Sequence, residues 1–334
     1  MTLSDALTLY NLPYVITETI TGGGFTSYKL IPTGSSATPE RLKSKLNAIN
    51  SATGSKYEIV DTSNGVILRS RTGSPIYNYF DYNGYIDYKD SKCPFIVGFD
   101  SNGGIILDSL DNARHMLIAG TTGSGKSIFL HDLIVSFACN PHTALYLVDC
   151  KQVEFNVYEK NALIANDVFG EISAAKICYH LTDLMDDRYK QMKRAGVNDF
   201  EGFKKIYPEE KRHILVIDEL SDLIGDKKAR NAIIPELLRL AQKGRAAGVH
   251  VILATQRPDS TIINGTLKGN IPTRIAFKTI SRIDSQIILD RTGAETLAGN
   301  GDGLYMRSNG STLERFQAPF IKTDDIRKLT KKTA

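Results

Sequence analysis

The sequence predicts an α/β protein: a mostly parallel sheet covered by helices, preceded by a smaller α+β region. Three observations carry that expectation. Short apolar runs alternate with helical segments from "CPFIVGFDSNGGIILDSL" onward, the pattern of strands buried on both faces. The stretch before about residue 95 has a different texture, rich in Thr, Ser, Tyr and Gly. A glycine-rich turn joins one apolar run directly to a helix.

The first region carries short β-like runs in "YVITETI", "SYKLIP", "YEIVDT" and "GVILRS". Between them "TPERLKSKLNAINSAT" reads as one helix, with Thr38 as N-cap and Pro39 at the first helical position. Residues 1–95 are therefore expected to form a small α+β subdomain. The tyrosine-rich segment Ile76 to Asp90 reads as a linker or edge strand with packed rings, and base stacking is the alternative. Residues 96–322 hold the alternating pattern. Strands are expected at "HMLIAG", "ALYLVDC", "HILVIDE", "VHVILATQ", "RIAFKT" and "GLYMR", with helices near 126–139, 171–195, 229–247 and 281–290. Residues 323–334 end the chain as a short basic tail, "RKLTKKTA".

Composition sets the outer bounds. With 42% hydrophobic and 23% charged residues over 334 positions, the chain reads as a soluble globular protein. No apolar run approaches the ~18–20 residues that span a bilayer. The opening "MTLSDALTLYNLPYV" has no basic flank and no small-residue cleavage site, so a secretory leader is not expected. Cys93, Cys139, Cys150 and Cys178 lack paired spacing, which argues against zinc and against a disulfide framework. The location expected is cytoplasmic. A net charge of +4 is too small to imply a nucleic-acid partner by itself.

The chemistry concentrates in "GTTGSGKS". Gly120, Thr121, Thr122, Gly123, Ser124, Gly125, Lys126 and Ser127 fit G-x-x-x-x-G-K-[ST], after a strand and opening a helix. The glycines let successive N–H groups face phosphate oxygens, and the helix start adds partial positive charge. Lys126 would reach the β- and γ-phosphates of ATP, and Ser127 would offer its hydroxyl to Mg2+.

"HILVIDELSDL" supplies acidic partners. Its apolar run places Asp218 and Glu219 at the carboxyl end of a strand, where open α/β sheets bind ligands. Asp218 fits the Mg2+ position. Glu219 would polarise a water against the γ-phosphate, or else cap the next helix. "VHVILATQRP" then delivers Gln256 to a neighbouring strand end, as a neutral amide able to sense the γ-phosphate. Arg245 and Arg274, at a helix-to-strand turn and a strand start, are alternative candidates for a finger into a neighbouring subunit's site.

Taken together, "HMLIAGTTGSGKS", "YLVDCKQVEFNVYEK", "RYKQMKRAGVNDFEGF", "HILVIDELSDL" and the run from "KGRAAGVHVILATQ" to "GNGDGLY" resemble the motor region of the FtsK/SpoIIIE DNA translocases. The resemblance implies a RecA-like P-loop NTPase preceded by the family's smaller subdomain. It also implies a hexameric ring that uses ATP to pump double-stranded DNA. "VDCK" stands where the family has Asp-Pro-Lys, with Asp149 and Lys151 kept. No membrane segment or winged-helix module is recognisable, so a stand-alone motor is the expectation. Conjugative coupling and protein-secretion ATPases of the same superfamily are the alternatives, and a non-transporting scaffold is a third.

Overall fold

The computed structural model describes residues 1–22, 25–55, 57–62, 65–71, 83–87, 89–100, 103–158, 164–168, 171–310 and 312–332. Most of the tyrosine-rich segment lies outside these. The chain divides into two compact units, Met1–Ile76 with Phe99–Gly104, and Tyr77–Gly98 with Ile105–Ala334.

In the first unit, strands β1 (Tyr14–Gly22), β2 (Phe25–Pro32), β3 (Tyr57–Thr62) and β4 (Gly65–Arg71) form an antiparallel sheet ordered β1-β2-β4-β3. Helix α2 (Pro39–Thr53) starts where its cap requires, with Thr38 accepting from the Arg41 amide at 3.3 Å. Helix α1 (Leu3–Leu9) was not expected. It nucleates on a capping box in which Thr2 and Asp5 satisfy each other's amides. Its Leu3 and Leu7 join Leu30, Leu42, Ile49 and Leu68 in one core.

The second unit is a ten-stranded sheet of order β6-β5-β14-β13-β12-β7-β11-β10-β8-β9. The strands are β5 (Pro94–Phe99), β6 (Ile105–Ser109), β7 (Met116–Ala119), β8 (Thr143–Val148), β9 (Ile164–Val168), β10 (Arg212–Ile217), β11 (Val249–Thr255), β12 (Thr273–Phe277), β13 (Asp302–Met306) and β14 (Leu313–Gln317). From β12 to β9 every neighbouring pair is parallel, while β13 runs antiparallel to both β12 and β14. The helices are α3 (Leu110–Ala113), α4 (Lys126–Ala138), α5 (Glu171–Ala195), α6 (Phe200–Ile206), α7 (Leu220–Leu223), α8 (Lys227–Lys243), α9 (Gly265–Asn270), α10 (Arg282–Leu289) and α11 (Thr323–Lys332). The segment expected to be helical to residue 247 changes at Gly244 into a tighter 3-10 turn, Gly244–Ala247.

The apolar runs are unbroken because both faces of the parallel strands are covered. Met116, Ile118, Ile214, Val216, Ile252 and Ala254 face one core, with Phe129, Leu133 and Phe137 of α4. Leu117, Ala119, Leu215, Ile217, Val251 and Leu253 face the other, with Leu181 of α5 and Leu237 of α8. The two-residue period of the strand thus feeds two layers of helices. Each such buried side chain contributes about 1.5–3 kcal/mol relative to exposure.

At the amino end of β10, Arg212 is buried at 1% exposure. Its guanidinium donates to Glu201 at 2.7 Å, Asp111 at 3.2 Å and the Ser91 carbonyl at 2.8 Å, and lies 3.1 Å from Nε2 of His250. Arg188 donates to the carbonyls of Ala247 and Lys211 and to Glu210. Both guanidiniums lie 5.0 Å from the Phe200 ring, a doubled cation–π contact.

Histidines packed into this unit make its stability depend on pH. Burial lowers His115 and His213 to about 3 and His131 to about 4, and puts His250 well below its usual 6.5. Below pH 6.5 the unfolded chain therefore takes up protons that the folded chain refuses, and stability falls as pH falls. Each histidine contributes up to about 1.4 kcal/mol per pH unit. Asp132 and Asp218, both raised by burial, act in the opposite sense. Urea unfolding at pH 7, 6 and 5 should show a net loss of roughly 1–3 kcal/mol per unit. A midpoint that holds or rises on acidification would contradict it.

Candidate nucleotide site

β11 lies between β7 and β10, so the three strand ends that carry chemistry are adjacent. Register places Thr255 opposite Ala119 and Ile217 opposite Leu253. Gln256 therefore leaves the sheet level with the start of the glycine loop, and Asp218 emerges one strand further on.

The loop has no room for side chains at two of its glycines. A Cβ on Gly120 would lie 2.6 Å from Cβ of Phe277, and Gly125, at φ +106°, would drive one to 2.4 Å from the Gly301 amide. Backbone bonds hold the loop from outside: Thr121 N–H to the Lys278 carbonyl at 2.9 Å, Asn300 N–H to Gly123 at 3.3 Å and Gly301 N–H to Ser124 at 2.8 Å. Gln317 in turn donates to the Asn300 carbonyl at 2.8 Å. The turn at residues 299–301 is thus a buttress that the sequence did not mark.

Lys126, buried, donates to both the Oδ1 and the backbone carbonyl of Asp218 at 2.9 Å. Burial raises the Asp218 carboxyl above its usual range, against the pull of the Lys126 ammonium. Ser127 at the start of α4 donates to Oε1 of Glu154 at 3.1 Å, a residue that sequence reasoning did not single out. Glu219 stands at the N-cap position of α7 but makes no side-chain cap bond. Its Oε1 accepts from the hydroxyls of Thr255, at 2.6 Å, and Ser221, and its Oε2 from the Gln256 amide at 2.7 Å. A lone pair on Oε2 is left for a water. The Gln256 side chain accepts from Thr122 of the phosphate loop at 2.9 Å. Lys126 is thus tied to Asp218, and beside that pair a second set of bonds links Glu219 to Gln256 and, through it, to Thr122.

Asp149, at the end of β8, is also part of the site's frame. Its Oδ1 accepts the amides of Lys151 and Gln152, and its Oδ2 those of Val153, Glu154 and Phe155, at 2.8–3.1 Å. A side chain that collects five amides shapes the loop bearing Glu154. Asp149→Asn would turn an NH2 group toward some of those donors. A loss of about 2–3 kcal/mol is expected. Urea unfolding gives that figure, and amide exchange at Val153–Phe155 should quicken; unaltered protection there would contradict the role.

The two arginines sit elsewhere. Arg245 is exposed in the turn before β11, at the opposite strand end from Gln256 and on the order of 20 Å away along the strand. Arg274, near the start of β12, donates to Asp290 and to the Lys268 carbonyl at 3.2 Å. Neither meets the phosphate loop of its own chain. Among the basic residues, Lys193, Arg194, Lys205, Lys227 and Lys228 are exposed, whereas Lys204 donates to the Glu210 carbonyl and Lys268 pairs with Asp290.

The donor set fits a magnesium nucleotide. Ser127 and Asp218 are hard oxygen donors, and Mg2+ takes one or two of these and completes its shell with phosphate and water. No group of three His, Cys, Asp or Glu able to hold a metal ion occurs among the described residues. The Ser124 hydroxyl is buried against the Gly120 backbone of the loop, where a Cβ on Gly120 would lie 2.6 Å from its Oγ. Among the described residues no helix is long and apolar enough to cross a membrane.

Comparison with known proteins agrees. The sequence profile of the FtsK/SpoIIIE family matches residues 82–260. DNA translocase FtsK of Caldanaerobacter subterraneus subsp. tengcongensis is 37% identical over 78% of this chain and 38% of its own length. DNA translocase SftA of Bacillus subtilis (strain 168) is 35% identical over 72% of this chain and 26% of its own. The chain thus spans about a third of the length of the curated relatives it matches. Among solved structures, the pCW3 conjugation coupling protein TcpA, in a monomer form with ATPγS, aligns with 98% of this chain and 97% of its own at TM-score 0.71 and 25% identity. The type VII secretion ATPase EccC of Thermomonospora curvata shares the fold over 72% of this chain, at TM-score 0.63 and 21% identity. The strand order, the glycine loop with its acidic partners and the profile match converge: this chain is a RecA-like P-loop protein and belongs to the FtsK/SpoIIIE family.

Proposed function

We propose that this chain is the ATP-hydrolysing motor of a double-stranded DNA translocase that works as a ring. The observation that carries the reading is the convergence of Lys126, Asp218, Glu219 and Gln256 on one phosphate loop. The names of the matched relatives supply the substrate. Residues 1–95 are the counterpart of the family's smaller subdomain, and 323–334 a basic tail.

Lys126 exchanges its contact with Asp218 for the β- and γ-phosphates. A magnesium ion held by Ser127 and Asp218 would neutralise charge on those phosphates. Glu219 takes a proton from the attacking water, oriented by the bonds from Thr255 and Gln256. Gln256 joins the phosphate loop through Thr122 and the acidic strand through Glu219. A change at the γ-phosphate is thereby passed to the end of β11 and to the loop that starts at Arg257 and Pro258. Arg245 or Arg274 reaches the nucleotide of a neighbouring subunit. The exposed Lys193, Arg194, Lys205, Lys227 and Lys228 contact DNA phosphates, so binding is sequence-independent and salt-sensitive.

The deciding measurement is ATPase rate with duplex DNA, single-stranded DNA and no DNA, at low and moderate salt. Duplex should stimulate most, and a rate indifferent to DNA would end the reading. A second reading has its own support: TcpA, a conjugation coupling protein, aligns with nearly the whole chain, including the first unit. Greater stimulation by single-stranded DNA would favour it. Triplex displacement separates either motor from a scaffold, which would displace nothing.

A further inference from the structure

We propose that Glu154 is a positioning residue for the cation at the nucleotide site: it accepts a hydrogen bond from the Ser127 hydroxyl and leaves an oxygen lone pair of Ser127 turned toward the metal. This rests on the nucleotide-binding reading above.

Three observations support it. Glu154 Oε1 accepts from Ser127 Oγ at 3.1 Å, across a gap in sequence that only the fold closes. Its backbone is fixed: the Glu154 amide is the shortest, at 2.8 Å, of the five that Asp149 collects, so the carboxylate is delivered by a shaped loop. Its charge is not spent on a cation. Among the described residues the basic group near it is His131, whose Nε2 lies 4.0 Å from Oε2. Burial lowers that imidazole to about 4, so it is neutral at pH 7. Ser127 and His131 are four apart on α4 and share a face, and Glu154 lies against both. A hydroxyl has one proton and two lone pairs. Directing the Ser127 O–H at Glu154 fixes where the lone pairs of its oxygen point. Carboxylates that orient a metal's ligands in this way typically change metal affinity 10–100-fold when removed.

The test titrates Mg2+ against the full chain with a fluorescent ADP analogue, beside an arm in EDTA. Glu154→Leu removes both acceptor oxygens, where Gln would keep one for Ser127, and the side chain is already one-third exposed, so the fold should hold. It should raise the Mg2+ needed for half-saturation about tenfold or more, while affinity in EDTA stays within about twofold. In a Ser127→Ala background the Leu change should add nothing, because its route is gone. An unchanged Mg2+ requirement overturns the proposal. So does an equal shift in both arms, the mark of a merely structural role. If the unaltered protein binds the analogue in neither arm, the nucleotide reading itself fails, an outcome distinct from the other two.

Discussion

Glu219→Gln is expected to lower ATP turnover by at least about 100-fold, while ATP binding stays within about threefold. A positioned general base supplies roughly 10²–10⁴ in rate, and 100-fold corresponds to about 2.7 kcal/mol of barrier. The substitution removes basicity with little damage to the fold. Gln can turn its carbonyl oxygen to the Gln256 amide, leaving its NH2 toward Thr255 and Ser221. Those are hydroxyls, which rotate to accept where they had donated. Lys126, Ser127 and Asp218 are untouched, so the nucleotide keeps its contacts. Steady-state hydrolysis beside equilibrium binding checks both halves. Unaltered hydrolysis would remove Glu219 as the base, whereas loss of binding would mean that the network, not the base, had been broken.

The largest effect on stability should come from Arg212→Ala, at about 3–5 kcal/mol, the range for dismantling a buried ion pair. The guanidinium is 1% exposed and serves two carboxylates, a carbonyl, an imidazole and an aromatic face. Its removal leaves the Ser91 carbonyl and His250 short of a partner, and opens a cavity beneath Phe200. Arg212→Met, which refills much of the volume, should lose clearly less. Equal losses in the two variants would locate the cost in the charge network alone. A loss below about 1 kcal/mol for the alanine change would place Arg212 among ordinary surface pairs.

Much of this architecture was legible. The six expected strands are present because a strand covered on both faces must be apolar at successive positions, and "HILVIDE" and "VHVILATQ" are. The phosphate loop was legible because its glycines sit where side chains cannot. Asp218 and Glu219 were legible because a strand that ends in two carboxylates has few other uses. What escaped was set by distant partners. Strands β5, β6, β9 and β14 are no shorter than the expected β7, and they are strands by virtue of the neighbours they pair with. Glu154 looked like one more loop carboxylate until Asp149 gathered the five amides that bring it to Ser127. Nothing local in the 299–301 turn tied it to Ser124, which is far from it in sequence. Helix α1 differs from these, since its capping box stands locally in "TLSD".

The buttress behind the phosphate loop also bears on how the protein is made. "GTTGSGKS" leaves the ribosome ahead of the 299–301 turn, so Ser124 must wait for Gly301, and Asn300 for Gln317, before its curvature is held. Chains fold from the amino terminus as they emerge. The nascent chain would therefore carry its glycine-rich motif long before the loop's curvature was held, and would hold it only once the last hairpin of the sheet had been synthesised and docked.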